Sequence, residues 1–203
     1  VDLSTEDYFQ TPPLPVITTA LKKQFETYFS SDSLTTMELD SVKATLDLAL
    51  APTPIISKVF FDGIQELDSL TIDAKFDSFT KEISGQVIVP AVSYAGSRID
   101  SLRVDLEGDS QDFKFMAGVT ELHYQPVLLK KTYLEGSLKN KKLVLDFSSA
   151  NDTTTVMHVA SELVFQSDTV RLHVSPKNLI LNKKPWDIPR GQCHTFSELL
   201  LPI

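Results

Sequence analysis

Leu67-Asp68-Ser69-Leu70-Thr71-Ile72-Asp73-Ala74-Lys75-Phe76 decides the reading of this chain. Leu70, Ile72, Ala74 and Phe76 alternate with Thr71, Asp73 and Lys75, the two-residue period of a β-strand with one apolar and one wet face. The same device returns at Ile99 to Gly108, where Leu102, Val104 and Leu106 alternate with Arg103, Asp105 and Glu107. Asp40-Ser41-Val42, Asp68-Ser69-Leu70, Asp100-Ser101-Leu102 and Asp168-Thr169-Val170 are predicted to open strands at a similar phase. Asp and Ser end a turn and the apolar residue starts the inward face. The intervals are uneven, so this is a loose repeat.

Outward from this stretch the period stays at two. Toward the N-terminus, Met37, Leu39, Leu46, Leu48 and Leu50 precede breaks at Pro52 and Pro54, and Val59 to Ile64 runs to Asp62-Gly63. Toward the C-terminus come Ile83 to Val89, a loop from Pro90 to Gly96 containing Tyr94, then Phe113 to Tyr124, Leu134 to Leu138 and Leu143 to Phe147. Val159 to Phe165, Val170 to Val174 and Leu179 to Leu181 follow, and Trp186 is expected to cap one end of the apolar interior. The result is about ten strands joined by short polar turns, an antiparallel meander.

Only one segment has helical spacing. Leu14, Ile17, Leu21, Phe25, Tyr28 and Phe29 form one stripe, entered through Thr11, Pro12, Pro13 and Pro15 and ended by Ser30 to Ser33. Thr18, Lys22, Lys23 and Glu26 lie opposite, which predicts a helix packed on the sheet or over one of its ends. The division is therefore residues 1–34, lead-in and amphipathic helix, and 35–203, repetitive sheet.

Bulk properties narrow the function. A charge of −8 disfavours a phosphate-backbone binder, and the pairs Lys130/Lys131, Lys141/Lys142 and Lys183/Lys184 read as turn or edge residues. The single Cys193 excludes an intrachain disulfide. His123, His158, His173 and His194 lack ligand spacing, so no metal or other cofactor is expected. Cys193-His194 reads as a free thiol beside a histidine, and no nucleophile elbow, phosphate loop or dinucleotide fingerprint occurs. Asp73, Asp105 and Glu107 read as the wet face of a sheet and not as a hydrolytic carboxylate pair, so no enzyme activity is expected. A chain that starts at Val1 and ends in the apolar run Ser197 to Ile203 is expected to be a piece of a longer protein.

Three features together carry a family likeness: the strand pattern, Ile99-Asp100-Ser101-Leu102-Arg103-Val104-Asp105-Leu106-Glu107-Gly108, and Leu181-Asn182-Lys183-Lys184-Pro185-Trp186-Asp187-Ile188. Over Leu67 to Ile188 the chain resembles a segment of the TamB-type translocation and assembly module proteins of the AsmA-like group. The resemblance implies a β-taco, an antiparallel meander curled into an open groove with an apolar interior. It also implies a periplasmic body in the Gram-negative cell envelope, on a parent anchored in the inner membrane. The implied work is phospholipid transport toward the outer membrane or support of outer-membrane protein biogenesis. The implied partners are phospholipid acyl chains, an outer-membrane assembly barrel and neighbouring segments of the same chain, with no nucleic acid.

On that basis the groove is expected to be lined by Leu70, Ile72, Phe76, Val87, Leu102, Val104, Leu106, Phe113, Phe115, Leu145, Phe147, Leu163, Phe165, Leu172 and Val174. Each such side chain left wet forfeits about 1.5–3 kcal/mol of burial, so a face lined by many of them should hold something apolar. The alternative reading is a scaffold or chaperone that captures outer-membrane strands at an exposed sheet edge. An enzyme or carbohydrate-binding sandwich would require clustered aromatics or carboxylates on one outer patch.

Overall fold

The computed structural model describes residues 14–29, 42–52, 63–166, 169–187 and 194–197. The expectations for residues 1–13, Ser30 to Ser33, Met37 to Ser41, Val59 to Asp62, Asp168, Ile188, Cys193 and the last six positions lie outside these.

Every described strand belongs to one sheet. Its main path is β1 (Lys43–Leu50), β3 (Leu70–Asp77), β4 (Glu82–Tyr94), β5 (Ser97–Gly108), β6 (Asp112–Tyr124), β7 (Val127–Lys139), β8 (Lys142–Asn151), β9 (Thr154–Phe165), β10 (Thr169–Val174) and β13 (His194–Ser197). All pairings are antiparallel, and from β3 to β10 neighbours in sequence are neighbours in space. Short β2 (Ile64–Leu67) adds to β4, β11 (Ile180–Leu181) to β9, and β12 (Lys184–Pro185) to β11. The predicted meander is therefore present, and the described path runs from β1 to β13 without closing on itself.

Antiparallel registry places directly paired residues on one side of a sheet, so the pairings can be read as rows across the strands. One row is Leu48, Ile72, Val87, Val104, Ala117, Leu134, Phe147 and Val159, apolar at every position across eight strands. The neighbouring row on the same side contains Leu46, Ala74, Gly85, Leu106, Phe115, Gly136, Leu145, Ser161 and Val174. Alternate positions carry Asp47, Asp73, Gln86, Asp105, Met116, Glu135 and Asp146 on the other side. The two-residue period is the cause of this division. Each strand contributes one apolar and one polar edge, and constant register lines them up.

The helix α1 (Leu14–Phe29) packs on the apolar side at the end of the sheet where the β3–β4, β5–β6 and β7–β8 turns lie. Ala20 sits against Val42 and Phe76, while Tyr28 and Phe25 meet Phe113 and Leu138. The predicted stripe holds for Ile17, Leu21, Phe25 and Tyr28, but Phe29 is 40% exposed and stands edge-on to Phe165. The stripe also contains a polar residue, Gln24, which is buried.

A crease crosses the sheet away from the helix. Pro90 lies inside β4 and not in a loop, facing the break between Leu67 and Leu70, where its missing N–H has no ladder to serve. Ser101 in β5 and Lys131 in β7 have left-handed backbones, φ 54° and 42°, and the pairs Pro90/Ser101 and Thr120/Lys131 drop out of the ladder. A bulge between Ser149 and Ala150 extends the line into β8. Three further expectations are corrected here. Asp68-Ser69 interrupts the quoted stretch, so Leu67 ends β2 and Leu70 starts β3. Asp100-Ser101-Leu102 lies in mid-strand and opens nothing, because the chain runs extended from Ser97 and only bends at Ser101. Likewise β7 starts at Val127, seven residues before Leu134.

Trp186 is 55% exposed and does not cap the interior. Beyond the two-residue strands β11 and β12 nothing described covers it, and the buried residue of that hairpin is Leu179.

Candidate functional site

The most extended chemical feature of the molecule is its apolar sheet face, and the helix divides it into two zones. In the covered zone Phe76 and Phe113 are buried, and Leu106, Phe115 and Phe165 pack against the cluster around Tyr28. Phe113 meets Phe25 at 5.0 Å, Tyr28 at 5.8 Å and Phe115 at 6.2 Å between ring centres, distances at which aromatic pairs attract. Two glycines let large side chains lie flat on this face. A Cβ on Gly136 would collide with the Phe115 ring, and one on Gly85 would stand 3.3 Å from Leu106.

Outside the helix no other described residue covers the face. None of the eight residues of the Leu48 to Val159 row is buried; all are intermediate in exposure, although each is flanked across the strands by another apolar side chain. Of the expected lining residues, Leu70, Ile72, Val87, Leu102, Val104, Leu145, Phe147, Leu163, Leu172 and Val174 are half-buried. Leu48, Leu134 and Val159, read from the sequence as strand residues but not among the expected lining, complete the row once register is known.

The opposite side bears a shallow cleft of about 980 Å³ whose charged lining comes from the alternate positions. Asp47, Asp73, Asp105, Glu107, Glu135 and Asp146 contribute carboxylates, and Lys75 and Lys114 two ammonium groups. Leu106 and Phe115 are the two expected groove residues that also border it. Asp105 is the most tightly held acid. Arg103 donates to both its oxygens at 2.6 and 3.0 Å and Gln86 donates at 2.8 Å, which keeps its pKa below the ordinary value.

Near the crease, register brings Asp100, Glu121 and His123 together, their ligand atoms all within 4.8 Å of one another. Each is already paired. Arg98 donates to Asp100 at 3.0 Å, and Glu121 holds His123 at 2.9 Å and Lys130 at 3.2 Å, hydrogen bonds that lower the Glu121 pKa. The group is a salt-bridged patch on β5, β6 and β7. Sequence spacing had no means of showing it, because the contacts run between strands. On β9, beside the Ser149/Ala150 bulge, His158 contacts the Asn178 carbonyl at 2.7 Å and Asp146 at 3.2 Å, tying β11 to the sheet.

Among the described residues no helix is long and apolar enough to cross a membrane. Comparison with protein families, with curated proteins and with solved structures found no match to the chain.

Proposed function

We propose that the apolar face of the sheet is a trough for phospholipid acyl chains, in a segment of a periplasm-spanning envelope protein that carries lipid toward the outer membrane or supports outer-membrane biogenesis. The observation that carries the reading is the unbroken apolar row from Leu48 to Val159, eight strands wide and uncovered by any described residue. At about 4.8 Å per strand it extends roughly 34 Å, against about 15 Å for one leaflet of a bilayer's hydrocarbon core. An acyl chain would cover such a row without needing a single hydrogen bond, whereas water covers it at a loss.

In this reading lipid lies along the apolar rows, on the side of the sheet opposite the charged cleft. The work is binding and guiding, without covalent chemistry, and the recognition elements are shape and apolarity at Ile72, Val87, Val104 and Phe147. The test is organic extraction of the purified chain followed by mass analysis of lipids, with a photoreactive residue replacing Val104. Co-purifying phospholipid and a lipid adduct at that position are expected. Recovery of no phospholipid together with no adduct would overturn the conduit.

One observation favours the alternative, strand capture at a sheet edge. Among the described residues β1 pairs only with β3, leaving its second edge available for β-augmentation along Lys43–Leu50. Capture predicts that Ala49→Pro, which removes an edge N–H, abolishes binding of an extended apolar peptide. The conduit predicts unchanged lipid recovery in the same variant.

A further inference from the structure

The helix lies on the face that the trough reading assigns to lipid, and it is fastened there by polar groups that an acyl chain lacks. Gln24 and Tyr28 are 5% and 2% exposed in an otherwise apolar helix face. The Gln24 amide donates to the carbonyls of Lys81 at 3.2 Å and Asp109 at 2.8 Å, and the Tyr28 hydroxyl donates to Asp109 at 2.6 Å. In return the Lys141 N–H donates to the Tyr28 carbonyl at 3.0 Å. Lys81, Asp109 and Lys141 belong to three successive turns at the same end of the sheet, those joining β3–β4, β5–β6 and β7–β8. A single helical turn, Gln24 to Tyr28, thus holds all three.

We infer that α1 is a wall along one long side of the trough, a stop that keeps acyl chains off the rows around Phe76, Phe113 and Leu138. The inference rests on the trough reading and adds to it a boundary. The covered and open zones are one continuous face: along β6, Phe113 lies under the helix, Phe115 at its margin and Ala117 in the open row, at about 6.8 Å per step. Lipid sliding along the face would have to displace Phe25 and Tyr28 and leave the Lys81 and Asp109 carbonyls without their Gln24 and Tyr28 donors, an exchange that buried polar groups resist. Lipid is therefore confined to the rows beyond α1.

The test uses the full chain incubated with phosphatidylethanolamine–phosphatidylglycerol vesicles containing a phospholipid with a photoreactive acyl chain, with adducts mapped by mass analysis. In the native chain adducts are expected at Val104, Ala117 and Phe147 and not at Phe113 or Leu138. The Gln24→Ala/Tyr28→Ala double variant, with helix release checked by amide hydrogen exchange, should gain labelling at Phe113 and Leu138 by at least roughly tenfold, as expected for the loss of more than one docking hydrogen bond. In a Cys193→Ser background, Ala20→Cys bridged to Ala44→Cys by a short bis-maleimide should hold those positions unlabelled.

If the double variant does not fold, Gln24→Met alone supplies the same comparison. Equal labelling of Phe113 and Val104 in the native chain, or no gain at Phe113 in a variant whose helix exchanges freely while Val104 stays labelled, overturns the stop. Absence of label at Val104 in every form overturns the trough reading itself, and the stop with it.

Discussion

Phe113 and Phe147 offer a direct comparison, because they are the same residue on the same face of one sheet in different surroundings. Phe113 is 9% exposed and held between Phe25, Tyr28 and Phe115. Phe147 sits in the open row between Leu134 and Val159, half-exposed, with no described element above it. Phe113→Ala removes a ring that α1 and the sheet jointly enclose and leaves a cavity, a loss of about 3–5 kcal/mol. Phe147→Ala forfeits only partial burial and leaves no closed cavity, so its loss should be about 1–1.5 kcal/mol, half the value for complete burial. With a urea dependence of about 2.5 kcal/mol per molar, the midpoints should fall by about 1.2–2 M and about 0.5 M respectively. Equilibrium urea unfolding followed by far-UV circular dichroism measures both. Equal shifts would mean that Phe147 is enclosed like Phe113, and the uncovered face on which the trough depends would not exist.

Other outcomes follow from the same geometry. Ser101→Gly should raise stability by about 0.5–1 kcal/mol and Ser101→Val should lower it by about 1–2 kcal/mol in thermal unfolding, since φ of 54° suits glycine and opposes a β-branched residue. Gly136→Ala should displace the Phe115 ring and destabilise the domain by about 1–3 kcal/mol, visible as altered near-UV circular dichroism before any loss of strand signal. The Asp109 pKa is held low by the N–H groups of Asp112 and Gln111, so its contribution is complete above the ordinary carboxylate value of 3.8 and is lost as pH falls through the lower folded value. Asp109→Asn keeps the acceptor and should flatten the acid limb of a melting-temperature profile below about pH 4. Tyr28 has the opposite sign: burial raises its pKa above 10.0, so its share is present below that value and lost at higher pH, and Tyr28→Phe should remove that alkaline limb.

Sequence periodicity located the strands and the helix because both depend on local alternation. Leu70, Ile72 and Phe76, or Leu102, Val104 and Leu106, announce a two-residue period without reference to any partner. The crease was also written in the chain, as a slip of one position in successive strands: Val89 then Val92, Leu102 then Ile99, Val119 then Leu122. Each slip alone looks like noise. Register aligns them, and the left-handed Ser101 and Lys131 fall on the same line. Gln24 was illegible for a different reason. A glutamine among Leu21, Phe25 and Tyr28 reads as a flaw in the stripe until the turn carbonyls of Lys81 and Asp109 supply its acceptors, and those are 57 and 85 residues away. Trp186 shows the limit in the other direction, since size and apolarity suggested a cap but nothing described lies over it.

The position of Gln24 bears on why the apolar face is only partly covered. A helix selected only for stability would extend its apolar stripe and bury as much of the sheet as its length allows, since each buried Leu or Phe is worth about 1.5–3 kcal/mol. Instead α1 devotes a buried position to an amide that bonds two turn carbonyls, fixing the helix at the edge of the face rather than across its middle. Removing that amide should therefore change where the helix sits as well as how tightly. In Gln24→Leu, a spin label at Phe29 should report a shifted or broadened distance to one at Val144, with little change in helix content. An unchanged narrow distance would show that apolar packing alone positions α1, and that the polar contacts at the three turns are incidental to the open face beyond them.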